Sequence, residues 1–173
     1  VFFSFSINFF YGSLGVLPID TFSHFDTGLR VLNGEVPFKD YWTTSGPFID
    51  YIQSVYFKFF GISWFSYILN GSVINSIVTF FTYKFLRIIN LDSKFAFIYA
   101  LFFSILANPS MGSPFVDHYS SFLSLLSIYS FIYAIYSKKN LFFFLVPILV
   151  FIVFLCKQTP SAYVALVIIF CSI

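Results

Sequence analysis

The chain alternates long apolar runs with short polar segments, and this pattern predicts a series of membrane helices joined by loops. The apolar runs are rich in Phe, Ile, Leu, Val and Tyr and cover residues 1–17, 64–86, 95–107, 119–136, 141–155 and 161–173. Residues 59–83 contain no Asp, Glu, Lys or Arg. The clearest span is therefore 64–86, with Trp64 as an anchor at the membrane interface. We expect an all-α integral membrane protein with about five to six transmembrane helices.

Two stretches of the first polar segment have the period of amphipathic helices. In residues 20–33 one helical face collects four apolar side chains, Phe22, Phe25, Leu29 and Leu32. Residues 47–60 carry an apolar stripe opposite three polar side chains that we expect to face water, Asp50, Gln53 and Lys58. At 1.5 Å per residue the second helix is roughly 20 Å long, shorter than the hydrocarbon core. We therefore expect residues 18–61 to form a first outer loop with two membrane-parallel helices.

Composition supports a membrane protein. Hydrophobic residues make up 59% of the chain and charged residues 9%, whereas a soluble domain carries about 25% charged residues. The net charge of +2 comes without a basic cluster, so nucleic acid is not an expected partner. Cys156 and Cys171 lie in apolar runs without the spacing of metal ligands. We expect residues 1–173 to be one transmembrane domain of a longer protein, because the chain begins and ends inside apolar runs.

Basic residues of two short loops predict which side of the membrane each polar segment occupies. These residues are Lys84, Arg87, Lys94, Lys138 and Lys139. The positive-inside rule places them on the cytoplasmic side. Residues 20–61, 117–118 and 157–159 then all lie on the opposite side. Chemistry is expected there, because five of the seven acidic residues lie between Asp20 and Asp50.

The acidic residues of the first loop have both functional and structural interpretations. Asp20 follows the first apolar run, where a carboxylate can deprotonate an acceptor hydroxyl or hold a cation. It can equally be the N-cap of the helix that it opens. Asp26 and Arg30 are four residues apart and are interpreted as an ion pair on a helix surface. Asp40 lies in a loop, where solvation is the default.

The other two polar segments offer a carboxylate, an imidazole and a lysine. Asp117 and His118 lie in a loop between two apolar runs, where ionisable residues are often functional. Together with a carboxylate of the first loop they could hold a Mg²⁺ or Mn²⁺ ion, although the sequence does not define a full set of metal ligands. Lys157 interrupts two apolar runs. It is either a lysine reaching out to the interface or a phosphate contact, with Thr159 capping the next helix.

One stretch of the first loop resembles a known family. Residues 28–41 read Gly-Leu-Arg-Val-Leu-Asn-Gly-Glu-Val-Pro-Phe-Lys-Asp-Tyr, followed by Gly46-Pro47 and a helix that ends in Lys-Phe-Phe-Gly. This resembles the first outer loop of GT-C glycosyltransferases of the protein mannosyltransferase and aminoarabinose transferase-like group. Asp20 stands at the position of the family's acidic residue, the proposed base or acceptor contact. The chain departs from the family at Thr21, where a second acidic residue is often found.

The resemblance implies an inverting glycosyltransferase that takes a sugar from a polyprenyl-phosphate donor. The acceptor would be a glycan, lipid or protein on the non-cytoplasmic side, with the active loops facing the periplasm of a bacterial inner membrane. Asp20 and Asp117 would be catalytic, and contacts to substrate or phosphate would come from Arg30, Lys157, Asp26, Asp40 and His118. Alternatives are a transporter or lipid-linked glycan flippase, or a glycan polymerase or ligase. Transporters usually hold charges near the bilayer midplane, whereas the apolar runs here are uncharged in their middles, which favours an enzyme.

Overall fold

The structure is a computed structural model that describes residues 1–15, 20–43, 45–107 and 112–172, with residues 20 and 21 described by their backbone alone. Within these ranges the chain forms eight helices: α1 (Phe2–Ser13), α2 (Asp20–Leu32), α3 (Phe48–Phe60), α4 (Trp64–Ile88), α5 (Ser93–Leu106), α6 (Val116–Ser137), α7 (Asn140–Cys156) and α8 (Gln158–Ser172). The predicted all-helical architecture is therefore confirmed.

Two of the helices, α4 and α6, are long and apolar enough to cross a membrane. Helices α5, α7 and α8 are apolar but have 14, 17 and 15 residues. The expectation of five to six spans thus remains a prediction.

Two predicted helix starts were wrong by a few residues. Helix α6 begins at Val116, so Asp117 and His118 lie in its first turn and not in the preceding loop. Helix α8 begins at Gln158, so Thr159 lies inside it and does not cap it. In both cases polar residues fit the first turn of a helix, where backbone N–H groups lack intrahelical partners.

Helices α1 and α4 are joined by hydrogen bonds between small polar side chains. Asn8 Nδ2 donates to Ser72 Oγ at 3.0 Å, and Asn75 Nδ2 donates to Ser4 Oγ at 3.2 Å. All four side chains are buried. The polar residues within α4 thus face another helix, which is the usual way to satisfy such groups inside a bundle.

The helices run up and down between two ends of the bundle. At the first, here called the polar end, the indole of Trp64 donates to the Gly12 carbonyl at 2.9 Å and Tyr67 donates to the Pro114 carbonyl at 3.2 Å. At the other, here called the basic end, the hydroxyls of Tyr83 and Ser93 lie 3.2 Å apart. Helices α2 and α3 pack against each other, and Phe22 of α2 contacts Trp64 at the polar end, with ring centroids 5.9 Å apart.

Candidate functional site

Helices α2 and α3 turn their polar faces toward each other. His24 is 4% exposed, and Asp50 and Gln53 are fully buried. The expectation that Asp50 and Gln53 face water was therefore wrong. Some of the large apolar side chains of α3 point outward, such as Phe59 at 75% exposed, while Ile49 and Phe57 are buried. Buried polar groups need hydrogen-bond partners, and the two polar faces supply them to each other.

The Asp50 carboxylate is the shared acceptor of this helix pair. Its Oδ1 lies 3.0 Å from Nδ1 of His24 and accepts from the Thr27 hydroxyl at 2.6 Å. Its Oδ2 accepts from the Tyr41 hydroxyl at 3.1 Å. Burial, and next the charge of Asp50, raise the pKa of Tyr41 above its usual value, so this hydroxyl remains a donor at neutral pH. These hydrogen bonds join α2, α3 and the turn between them. Because Asp50 is fully buried, its carboxylate is not open to a substrate.

A second buried chain of polar groups continues from α3 into the bundle. Asn70 Nδ2 donates to Gln53 Oε1 at 2.8 Å, and the Tyr119 hydroxyl donates to Asn70 Oδ1. Close approach of α2 and α3 depends on Gly28, since a Cβ there would lie 2.7 Å from Cγ of Gln53. The hydrogen bonds of Gln53, Asn70 and Tyr119 thus attach α3, and α2 packed against it, to α4 and α6.

The exposed charges of α2 form an ion-pair network. Arg30 Nε lies 2.8 Å from Asp26 Oδ2, and its Nη1 lies 3.2 Å from Glu35 Oε2. The predicted Asp26–Arg30 pair is therefore confirmed. The hydrogen bond that Arg30 donates to Asp26 and the charge of Asp26, followed by the same two contributions from Glu35, raise the pKa of Arg30 above its usual value. The guanidinium also lies 5.7 Å from the ring centroid of Tyr41.

The turn between α2 and α3 is closed by Asp40. Its Oδ2 accepts from the Val36 backbone N–H at 2.8 Å, and its own N–H donates to the Val36 carbonyl at 2.9 Å. Phe38 has a positive φ of 66° and is half exposed, in edge contact with Trp42, which is 81% exposed. Asp40 is exposed, as predicted for a solvated loop carboxylate, and it also closes the turn.

The first loop reaches the break between α7 and α8 through Gly46. Its backbone N–H donates to the Cys156 carbonyl at 2.8 Å. A Cβ on Gly46 would lie 1.9 Å from the Leu155 carbonyl oxygen, so only glycine fits there. Beside this contact Lys157 forms an ion pair with Asp117 of α6. The polar segments that the sequence placed on one side of the membrane therefore meet at the polar end.

Asp117 and Lys157 are open to a ligand, whereas the His118 ring is partly buried. The side chains of Asp117 and Lys157 are 53% and 40% exposed. The His118 ring lies between Phe115 and Phe122, with centroids 5.6 and 6.3 Å away, and among the described residues its buried Nδ1 has no hydrogen-bond partner. The carboxylate and the imidazole of this dipeptide are thus in different surroundings.

Asp20 begins α2, while its side chain lies outside the described part of the structure. Among the described residues, no three His, Cys, Asp or Glu side chains form a group that could hold a metal ion. The Mg²⁺ or Mn²⁺ ion suggested by the sequence therefore stays a prediction. Comparison with protein-family models, with curated proteins and with solved structures gave no match.

Sequence reasoning missed the buried roles of His24, Asp50 and Gln53. A usable signal was present: Asp50, Gln53 and Phe57 are spaced i, i+3 and i+7, so they share a helical face. The spacing does not say whether that face meets water or protein.

Proposed function

We propose that this chain is part of a membrane glycosyltransferase that takes a sugar from a lipid-phosphate donor at the polar end. The observation that carries the proposal is the meeting of the first loop with the α7–α8 break, where Gly46 contacts Cys156 next to the Asp117–Lys157 pair. A carboxylate and an ammonium group are thereby exposed at one end of an apolar bundle. A donor whose lipid tail holds its phosphate at the interface would meet both groups there.

The distribution of polar and apolar side chains supports a membrane setting. In the described parts of the chain, buried polar side chains outnumber buried apolar ones, while many large apolar side chains are exposed. A soluble protein has the opposite distribution. Lipid as the outer solvent explains both features, because apolar side chains face it at no cost and polar groups must find partners inside.

The proposed reaction is a displacement at the anomeric carbon of the donor sugar. A hydroxyl oxygen of the acceptor forms the new bond to that carbon from the face opposite the phosphate. The bond between the carbon and the phosphate oxygen breaks, and the lipid phosphate leaves with the electron pair. A carboxylate, Asp20 by family resemblance or Asp117 by exposure, takes the acceptor proton.

Lys157 is the better of the two predicted phosphate contacts. Arg30 is already paired with Asp26 and Glu35, so two carboxylates outweigh its charge. Lys157 has one carboxylate partner, and its half-exposed side chain lies at the interruption between two helices. An approaching phosphate can take the ammonium group from Asp117, which frees that carboxylate to accept a proton.

The positive-inside rule favours the non-cytoplasmic side for the polar end, because the loop that carries Arg87 and Lys94 lies at the other end of the bundle. We retain the periplasmic face of a bacterial inner membrane as the proposed location.

The test is sugar transfer by the full protein in membrane vesicles supplied with radiolabelled polyprenyl-phosphate sugars. Lys157→Gln and Asp117→Asn should each lower the transfer rate by about 100-fold or more. The matched control is Asp92→Asn, an exposed carboxylate at the basic end whose capping of α5 an Asn can keep, and it should transfer at close to the normal rate. Absence of transfer from every polyprenyl-linked donor would overturn the proposal. Full activity of both variants would overturn the site.

A further inference from the structure

A groove opens between α4, α6 and α7 at the basic end, far from the proposed site of sugar transfer. Its volume is about 670 Å³. The α4 side extends from Phe80 to Ile88, which at 1.5 Å per residue is roughly 12 Å along the helix axis. The groove therefore runs along the last turns of α4, from the basic end toward the apolar middle of the helix.

The wall of the groove is apolar and already well ordered. Phe81, Leu126, Leu145 and Ile148 contribute aliphatic and aromatic surface. The Tyr129 hydroxyl lies 3.2 Å from that of Thr82, so this polar group of the wall is satisfied without a ligand. Two ring contacts keep the wall in place, with centroid distances of 4.3 Å each, Phe85–Tyr129 and Tyr133–Phe142.

The mouth of the groove carries positive charge without a protein counter-ion. Lys84 Nζ lies 5.4 Å from the ring centroid of Phe80, and Arg87 donates to the Leu91 carbonyl. In the described ranges neither forms an ion pair with a carboxylate. Asp92, the acidic residue of the adjoining loop, accepts from the Lys94 backbone N–H as the N-cap of α5.

We propose that this groove binds an anionic phospholipid, with the headgroup phosphate at Lys84 and Arg87 and the acyl chains along the apolar wall. The positive charges of Lys84 and Arg87 favour an occupant with a net negative headgroup. A zwitterionic lipid would leave the two cations unneutralised, and an apolar protein helix would bury them. Basic pockets between transmembrane helices on the cytoplasmic side bind anionic headgroups in this way. The proposal requires membrane embedding but does not depend on sugar transfer.

The test measures lipid binding to the purified full protein in neutral detergent by native mass spectrometry. The probes are phosphatidylglycerol and phosphatidylcholine with the same acyl chains. The protein should retain phosphatidylglycerol about tenfold more tightly, with a preference that falls at high salt. In the double variant Lys84→Gln/Arg87→Gln the preference should disappear. Lys58→Gln, which removes an exposed cation of α3 at the polar end, is the matched control and should keep it.

A second variant tests the apolar wall. Ile148→Trp places a large side chain in the groove from a half-exposed position, so folding should be retained while binding of both lipids falls. Equal binding of the two lipids by the unaltered protein would overturn the proposal. So would a preference that survives the double variant. A dimer that Ile148→Trp dissociates, or a cross-link from the groove to another segment of the protein, would assign it a different occupant and also overturn the proposal.

Discussion

Asp50 of α3 joins this helix to α2 and to the turn between them, because its carboxylate accepts hydrogen bonds from side chains of both. A buried carboxylate is costly unless its lone pairs are filled, and here His24, Thr27 and Tyr41 fill them. Each donor is in turn buried or half buried by this contact. The cluster is therefore stable as a whole and sensitive to the loss of its central member.

Asp50→Asn should destabilise the protein by about 3 kcal/mol, because the amide directs N–H groups at donors that need an acceptor. Thermal unfolding in detergent, followed by circular dichroism, measures the change. Asp26→Asn is the control and should cost less than about 1 kcal/mol, since its ion pair is exposed. Equal effects of the two substitutions would contradict the central role of Asp50.

The raised pKa of Tyr41 predicts a loss of stability at alkaline pH. The folded protein keeps the phenolic proton above the pH near 10 at which the unfolded chain loses it. The stabilising contribution is thus complete below about pH 10 and declines as the pH rises further. Unfolding temperatures of the unaltered protein and of Tyr41→Phe should differ by a constant amount up to about pH 10 and approach each other as the pH rises from about 10 to about 12. A difference that stays constant over this range would show that Tyr41 does not titrate with unfolding.

For single residues, the sequence predicted side-chain pairs that are close along one helix and missed side-chain pairs between helices. Asp26–Arg30 was predicted because four residues along a helix fix the distance. Asp50–His24 was not, because the 26 intervening residues form a turn and a helix pair whose geometry no local spacing determines. The Asp117–Lys157 pair was anticipated only as two groups on one side of the membrane.

Helices α2 and α3 show what amphipathic periodicity determines. The pattern predicted both helices with bounds close to those observed, 20–33 for Asp20–Leu32 and 47–60 for Phe48–Phe60. It did not determine which face is buried, because that depends on whether water or lipid lies outside. Helix α3 exposes Val55 and Phe59 and buries Gln53, as expected for lipid contact.

Gly46→Ala should detach the first loop from the α7–α8 break. A Cβ 1.9 Å from the Leu155 carbonyl oxygen cannot be accommodated, and the displacement should cost about 1–3 kcal/mol or more. Limited proteolysis should then cut residues 40–47 faster than in the unaltered protein. Ser45→Ala, at the neighbouring buried position, is the control and should leave the cutting rate nearly unchanged. Equal protection of both variants would show that the contact does not hold the loop.

For the molecule as a whole, the distribution of charge predicted which polar segments would meet, although the number of spans remains open. The lysines and arginines of the short loops predict which loops lie on the cytoplasmic side of the membrane and which lie on the other side. The observed contacts agree, since Gly46 reaches Cys156 while Tyr83 reaches Ser93 at the other end. Helix length was less informative, because α5, α7 and α8 have 14, 17 and 15 residues and a span needs about 20.

Accessibility to a membrane-impermeant maleimide tests the arrangement of the two ends directly. Single cysteines replace three exposed residues, Lys39 and Gln158 at the polar end and Lys139 at the basic end, in a chain that carries Cys171→Ser and keeps the buried Cys156. In intact cells the reagent should label Lys39→Cys and Gln158→Cys, whereas Lys139→Cys should react only after the membrane is opened. Because α7 joins residue 139 to residue 158 through 17 helical residues, opposite labelling at its two ends requires this helix to cross the membrane. Labelling of all three positions from one side would contradict the crossing, and with it the site for a lipid-linked donor.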